Sequence, residues 1–286
     1  MVSRWRQQSD RVALVPTMGA LHEGHLSLIR QVREHAGRVV VSIFLNPTQF
    51  GPGEDYESYP RTLAQDVELC RREGVSLVFA PDAKEMYGTG KGDYSGYISF
   101  RISRMTDHLC GASRSGHFEG VLQVVNKLFN TVQPDVAVFG QKDIQQWFLI
   151  RQMAAETDQP VEILMGPTRR ESDGLAMSSR NIYLNEEDRK KAPMLYASLQ
   201  RISAVLAEKA GHDDQRPVSV NASLLEAEYS ILRENGMNLD YLTVVSTPDL
   251  QPADVIIPGR LYVVAVAAWL GGTRLIDNVL LNTNAG

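Results

Sequence analysis

The sequence predicts an α/β protein: a doubly wound, mainly parallel sheet, then a second, smaller α+β domain after about residue 166. Three observations predict it. Short β-branched runs alternate with helix-spaced apolar stripes through the first half. Polar signatures follow directly on three of those runs, at Pro16–His25, Asn46–Gln49 and Gly140–Asp143, where parallel sheets place ligands outside the carboxyl ends of their strands. Beyond Gly166 the texture changes to long helical stretches followed by strand-like runs.

The elements follow in order. Val12–Val15 reads as a strand, and Leu26, Ile29 and Val32 trace the helix after it. Val39–Leu45 is a nearly unbroken apolar run, as expected of a strand buried on both faces. Leu63–Arg72 looks helical, Ser76–Ala80 forms a short strand closed by Pro81, and Val121, Val124, Val125, Leu128, Phe129 and Val132 form one helical stripe. Asp135–Gly140 is a strand, Ile144–Ala155 a helix and Val161–Met165 a strand, which completes a Rossmann-like rhythm. A single long helix is expected over Glu186–Ala210, then a polar linker at Gly211–Pro217 and a helix over Asn221–Asn235. Strands near Tyr241–Val245, Leu261–Trp269 and Thr273–Leu280 end the chain.

Composition bounds the function. The hydrophobic fraction of 43% and charged fraction of 22% are those of an ordinary soluble globular protein. A formal net charge of −5 supplies no basic field, which argues against nucleic acid as a partner. Two cysteines, Cys70 and Cys110, are too few for a disulfide scaffold and favour a reducing cytoplasm. The N-terminus lacks the apolar core of a signal peptide. The most apolar stretch, Leu261–Leu270, is about half the length of a membrane span, so no membrane association is expected. Asn221-Ala222-Ser223 matches a glycosylation sequon and is read as chance.

The candidate chemistry starts at Pro16-Thr17-Met18-Gly19-Ala20-Leu21-His22-Glu23-Gly24-His25. A zinc site of the metalloprotease kind fails, because Leu26 occupies the slot four residues after His22. Two histidines near a helix start are also a common accident. The third reading is a nucleotide-phosphate site: the segment joins a strand to a helix, where free amides and the helix dipole attract phosphate. Gly19 and Gly24 permit close backbone approach, and two imidazoles of near-neutral pKa can donate to phosphate oxygens. No P-loop occurs, and Gly88-Thr89-Gly90-Lys91-Gly92 is read as a flexible loop. Gly140-Gln141-Lys142-Asp143 caps a strand, with Lys142 a point charge for phosphate and Asp143 a helix N-cap. Met177-Ser178-Ser179-Arg180 offers hydroxyls and a cation that suit a triphosphate, although alone it is no better than a surface loop.

Together these segments resemble the pantoate–β-alanine ligase (pantothenate synthetase) family. The resemblance runs over nearly the whole chain, through Val15–His25, Phe44–Phe50, Tyr59–Thr62, Gly116–Val121, Gln133–Asp135, Gly140–Asp143 with Gln145-Gln146, and Asp173–Asn181. The first segment is similar to the HIGH signature of adenylyl-transferring enzymes and the last to their KMSKS counterpart. The resemblance implies a Rossmann-like nucleotide- and pantoate-binding domain at 1–166 and a smaller domain at 167–286 that closes over the ATP site. It implies an ATP-dependent ligase that joins pantoate to β-alanine through a pantoyl adenylate and releases AMP and pyrophosphate. Met18, Gly19, Ala20, Leu21, His22, Glu23, Gly24 and His25 would bind ATP, with His22, His25 and Lys142 catalytic and His25 the proton donor. Gly140, Gln141, Lys142, Asp143, Arg169, Met177, Ser178, Ser179 and Arg180 would complete the nucleotide site. Gln49 and Gln146 would hold pantoate, and Gln49 would also border β-alanine.

Mg²⁺ would accompany ATP, with no protein ligand assigned to it; Asp66 is read as a solvated helix residue in preference to its outer-shell partner. A homodimer is implied by the family alone. Members carry a further strand and helix ahead of the position of Trp5, so a shortened sheet edge is one expectation. Gln141 stands where the family carries Glu, Arg169 where it carries a small apolar residue beside the adenine, and Ser115 where it carries Pro. Two alternatives stay open. Another HIGH-type nucleotidyltransferase is opposed by Asn46–Phe50 and Gln146, and a catalytically silent ATP-binding module by the intact His22, His25, Lys142, Ser178, Ser179 and Arg180.

Overall fold

The computed structural model describes residues 1–88, 98–212 and 216–283. Most of the glycine-rich loop expected at Gly88–Gly92 and the middle of the linker expected at Gly211–Pro217 lie outside the described residues. The chain forms two compact units, one of Met1–Ile102 with Arg114–Arg169, the other of Ser103–Ser113 with Arg170–Gly286.

The first unit runs α1 (Val2–Gln7), β1 (Val12–Thr17), α2 (Glu23–Arg33), β2 (Arg38–Ile43), α3 (Leu63–Arg72), β3 (Leu77–Phe79) and α4 (Ala83–Tyr87). After α5 (Cys110–Ser113), which belongs to the second unit, it resumes with α6 (His117–Val132), β4 (Val136–Gly140), α7 (Ile144–Glu156) and β5 (Glu162–Gly166). Its five strands are parallel in the order β3-β2-β1-β4-β5, the doubly wound arrangement expected. Val12, Ala13, Leu14, Val15, Val40, Val41, Val136, Ala137 and Val138 have no exposed surface. Helices on both faces explain why β1, β2 and β4 read as apolar runs rather than as alternating patterns.

The order reverses between β1 and β4, and there the strands part. β1 meets β4 only at Ala13↔Val136 and Leu14↔Ala137. It stays paired with β2 out to Thr17↔Ile43, and β4 stays paired with β5 out to Gly140↔Gly166. The carboxyl ends of β1 and β4 therefore open a crevice, where such sheets bind ligands.

The second unit carries α8 (Glu186–Lys191), α9 (Met194–His212), β6 (Val218–Ser219), α10 (Ala222–Glu234), β7 (Met237–Ser246), β8 (Val255–Ile256), β9 (Leu261–Leu270) and β10 (Thr273–Asn282). β10-β9-β7 form an antiparallel sheet, whose buried face packs on Leu195, Leu199, Ile202 and Leu206 of α9. The single helix expected over Glu186–Ala210 is two, because Pro193 has no N–H to donate and its ring clashes with the preceding turn. Asn221 of the sequon is the N-cap of α10, its Oδ1 accepting from Ser223 N–H at 3.1 Å. Ser103–Ser113, expected within the first domain, joins this unit. Arg104 O accepts from Gln251 Nε2 at 3.0 Å, and Cys110 Sγ lies 3.3 Å from the Tyr241 hydroxyl. Cys70 and Cys110 are both free and buried. No described helix is long and apolar enough to cross a membrane.

In the first unit α6 lies directly against the 3₁₀ turn Pro47–Gln49. A Cβ added at Gly120 would sit 2.3 Å from Thr48 O and 2.7 Å from Gln49 N, closer than any backbone contact allows. Gly120→Ala is expected to lower the free energy of unfolding by about 1–3 kcal/mol, the usual range for overpacking. Denaturant titration measures this, and an unchanged midpoint would mean that α6 yields without cost.

Candidate functional site

The β1–α2 turn is built to a shape that one of its residues, Ala20, does not favour. Gly19 and Ala20 both take positive φ, 87° and 49°. Glycine enters that region freely, whereas for alanine it costs about 1–2 kcal/mol. Asp66 holds the turn there. Its carboxylate, only 1% exposed, accepts from Ala20 N–H at 3.0 Å and Leu21 N–H at 2.9 Å, and Thr62 Oγ1 donates to it at 3.2 Å. Asp66 is thus not the solvated helix residue expected, because the turn folds over it and fills its oxygens. The signal for it was Thr62 four residues earlier, one helical turn away.

His22 is the N-cap of α2. Its Nδ1 accepts from Gly24 N–H at 3.1 Å, while its own N–H donates to His25 Nδ1 at 3.3 Å. The two rings lie 4.1 Å apart. A nitrogen that accepts carries no proton, so in both neutral rings the proton sits on Nε2. Burial, then the charge of Lys142, lowers the His22 pKa to about 4. Burial, then His22 and Lys142, lowers that of His25 to about 3. The near-neutral pKa expected from sequence is therefore corrected: both rings are neutral at pH 7.

The expectation of free turn amides is corrected as well. Gly19 N–H donates to Thr17 Oγ1 at 3.2 Å, Ala20 and Leu21 to Asp66, His22 to His25, Gly24 to His22, and His25 to His22 O at 2.8 Å. Satisfying buried donors internally is the cheaper state for a tight turn. With those six amides committed, the imidazole Nε2–H groups are the side-chain donors that the turn offers an anion. Glu23 directs its side chain to Arg30 on the surface.

Gln141–Asp143 form a 3₁₀ turn directly after Gly140, the last residue of β4. Lys142 stands close enough for its charge to act on both imidazoles, and Asp143 acts on His22. Asp143 occupies the N-cap position of α7 but makes no capping hydrogen bond. The 3₁₀ turn runs straight into the helix, leaving Asp143 at φ −96°, ψ 54° rather than in the extended conformation a cap requires.

Asn46, 1% exposed, fixes Gln49. Asn46 Oδ1 accepts from Tyr87 O–H at 2.7 Å and Thr48 N–H at 3.3 Å, and its Nδ2 donates to Gln49 Oε1 at 3.1 Å. With its oxygen taken, Gln49 presents its NH₂, which meets Met18 Sδ at 2.9 Å. Gln146 lies half-buried on the first turn of α7.

In the second unit, Arg170 pairs with Asp277 through both terminal nitrogens, at 2.6 and 3.0 Å, and stacks 3.4 Å from the Tyr196 ring centroid. This pair, which the sequence did not reveal, anchors the Arg170–Ala176 hairpin. Met177–Arg180 follow at once, all half-buried. Ser178 caps the next 3₁₀ turn, its Oγ accepting from Arg180 N–H at 3.3 Å. Arg169 is assigned to the first unit and is exposed.

The half-buried histidines fix a pH dependence. Unfolded, each takes up a proton near pH 6.5; folded, not until about pH 4 for His22 and 3 for His25. Between those values the unfolded chain binds more protons, so stability present above pH 6.5 declines as pH falls through the window. Each histidine adds a slope of up to about 1.4 kcal/mol per pH unit. Unfolding free energies measured from pH 7.5 to 4.5 should fall less steeply for His25→Gln than for the unaltered chain, and equal slopes would remove His25 from this account.

The chain is similar to known proteins in both sequence and fold. The family model described as Pantoate-beta-alanine ligase matches residues 1–280. A pantothenate synthetase of Alkalilimnicola ehrlichii is 49% identical over 285 residues, covering 99% of this chain and 95% of the relative. Among solved structures, a pantothenate synthetase from Thermus thermophilus superposes with a TM-score of 0.86 at 41% identity, covering 99% of this chain and 98% of that one. The pantoate-beta-alanine ligase of Francisella tularensis, complexed with beta-gamma ATP and beta-alanine, gives 0.77 at 31% identity, with 100% and 97% covered. Likeness of this extent, in sequence and in fold, places the chain in the pantoate–beta-alanine ligase family.

Proposed function

We propose that this chain condenses pantoate with β-alanine at the expense of ATP through a pantoyl adenylate, with His22 and His25 acting as neutral hydrogen-bond donors. The observation that carries the reading is the pair of imidazoles whose Nδ1 atoms both accept backbone N–H groups. In the first step a carboxylate oxygen of pantoate attacks the α-phosphorus, and the bond to pyrophosphate breaks with its electron pair on the leaving oxygen. In the second, the neutral amine of β-alanine attacks the acyl carbon; the bond to AMP breaks, and the nitrogen loses a proton to give the amide.

Charge builds on the phosphate oxygens in the first step. Donors fixed beforehand stabilise it without reorganising, and Lys142 offsets it as a point charge. A bound triphosphate would also raise the pKa of both imidazoles, since an anion favours their charged form. The nucleotide contacts assigned to this chain are Met18–His25, Gly140–Asp143, Arg169 and Met177–Arg180. Gln49 and Gln146 are neutral amides, which orient pantoate's hydroxyls and carboxylate without quenching the nucleophile. The NH₂ end that Gln49 presents suits those oxygens.

Mg²⁺ is proposed to arrive on the phosphates. Asp66 does not fit as its ligand, because Ala20, Leu21 and Thr62 already occupy its oxygens. Asp143, exposed and close to His22, fits an outer-sphere contact. A homodimeric, cytoplasmic enzyme completes the proposal and rests on the family likeness.

Pantoate-dependent exchange of labelled pyrophosphate into ATP tests the first step, and discharge of the adenylate by β-alanine tests the second. His25→Ala should lower exchange by about two to four orders of magnitude. His25→Gln, whose amide can place an N–H near the Nε2 position, should retain more. Equal loss in both variants would point to proton transfer instead, and normal exchange in His25→Ala would remove His25 from the chemistry.

A further inference from the structure

The main chain around Gln49 belongs to a closed ring of hydrogen bonds that the two reaction steps leave unused. Gln49 O accepts from His117 Nδ1–H at 2.7 Å, and His117 Nε2 accepts from Arg114 Nη1–H at 2.8 Å. Arg114 grips Glu54 through Nε at 2.7 Å and Nη2 at 2.6 Å, and Glu54 Oε2 accepts from Gly51 N–H at 3.2 Å. The ring begins and ends within Gln49–Gly51. A guanidinium has no acceptor, so His117 must receive on Nε2 and carry its proton on Nδ1, toward the carbonyl.

The charges inside it are settled. Burial, then Arg114, lowers the His117 pKa to about 4. Burial opposes ionisation of Glu54, but the hydrogen bonds and charge of Arg114 outweigh it and hold the carboxyl at about 2. The Arg114–Glu54 fork, with side chains 15% and 23% exposed, is the bidentate kind that combines energy with direction. Gly120, one turn along α6 from His117, packs on Thr48 with no space for a Cβ.

Two sets of bonds thus meet at one residue. Asn46 fixes which end of the buried Gln49 amide turns toward Met18, and the ring fixes the peptide plane from which that side chain leaves. Freeing the carbonyl would let the plane rotate and swing Nε2, and a displacement of about 1 Å suffices to spoil a positioned contact.

We infer that Glu54, Arg114 and His117 are positioning residues that set the Gln49 amide for the carboxylic-acid substrate, so that recognition of the acid is governed from the N-terminus of α6. This inference rests on the reading of Gln49 as an acid-binding residue.

Steady-state kinetics on the full chain test it, with thermal melts to monitor folding. His117→Phe should raise the KM for pantoate by about three- to tenfold, the worth of one neutral hydrogen bond, with the KM for ATP unchanged within twofold. His117→Asn, whose amide can donate from near the Nδ1 position, should recover most of the loss. The discriminating measurement adds His117→Phe to Gln49→Ala: the relay predicts no further rise in that background. An equal further rise, an equal effect on ATP, or a lowered melting temperature with normal KM would overturn the relay and leave His117 a packing residue. A Gln49→Ala variant with normal KM for pantoate would instead sink the underlying assignment of Gln49, which separates the two failures.

Discussion

Asp66 draws the Ala20 and Leu21 amides onto a buried carboxylate, and that interaction decides how the β1–α2 turn can meet an anion. A strand-to-helix turn ordinarily offers phosphate its backbone N–H groups. Here those amides are spent holding Gly19 and Ala20 at positive φ, and those of His22 and Gly24 are spent on the histidine rings. The turn becomes rigid and nearly self-sufficient. What it projects is a pair of imidazoles in a defined tautomer, beside a lysine carried in on the neighbouring strand's loop. Burial and Lys142 keep the rings neutral until a ligand of opposite charge arrives, so the cationic charge assigned to this face before ATP binds is that of Lys142.

Substrate selection follows different physics. A carboxylate that must act as a nucleophile is badly served by a tight ion pair, which would hold its electrons in place. As the proposed ligands of the acid, Gln49 and Gln146 avoid that difficulty but would supply weaker contacts, and weak contacts discriminate only when their geometry is fixed. Asn46 and Tyr87 give Gln49 a definite donor end, and the ring through His117 gives it a definite origin. In the proposed function, specificity for the acid is built from the neighbours of Gln49, whereas recognition of the triphosphate relies on charge.

Much of the fold was legible in the sequence. β1, β2 and β4 are buried on both faces and so appear as unbroken apolar runs, and the polar segments after them mark the crevice where β1 and β4 part. His22, His25, Lys142 and Gln49 stand in segments dense enough to be recognised. Asp66 was misread because a single carboxylate on a polar helix looks solvated; its role depends on a turn 45 residues earlier folding back over it. The ring through Glu54 and Arg114 spans 60 residues and leaves no local pattern. Pro193 was a visible helix breaker whose effect the apolar periodicity around it concealed. The pKa values were misjudged for one reason: burial and a neighbouring charge are properties of the fold, and composition carries neither.

Everything proposed for this turn depends on both histidines standing ready as neutral Nε2–H donors. Long-range nitrogen–proton NMR of the imidazoles at pH 7, with His25→Gln and His22→Gln variants to assign the signals, reads the tautomers directly. An unprotonated Nδ1 and a protonated Nε2 are expected in both rings of the ligand-free protein. A proton on Nδ1 of either ring, or a doubly protonated imidazolium, would contradict it.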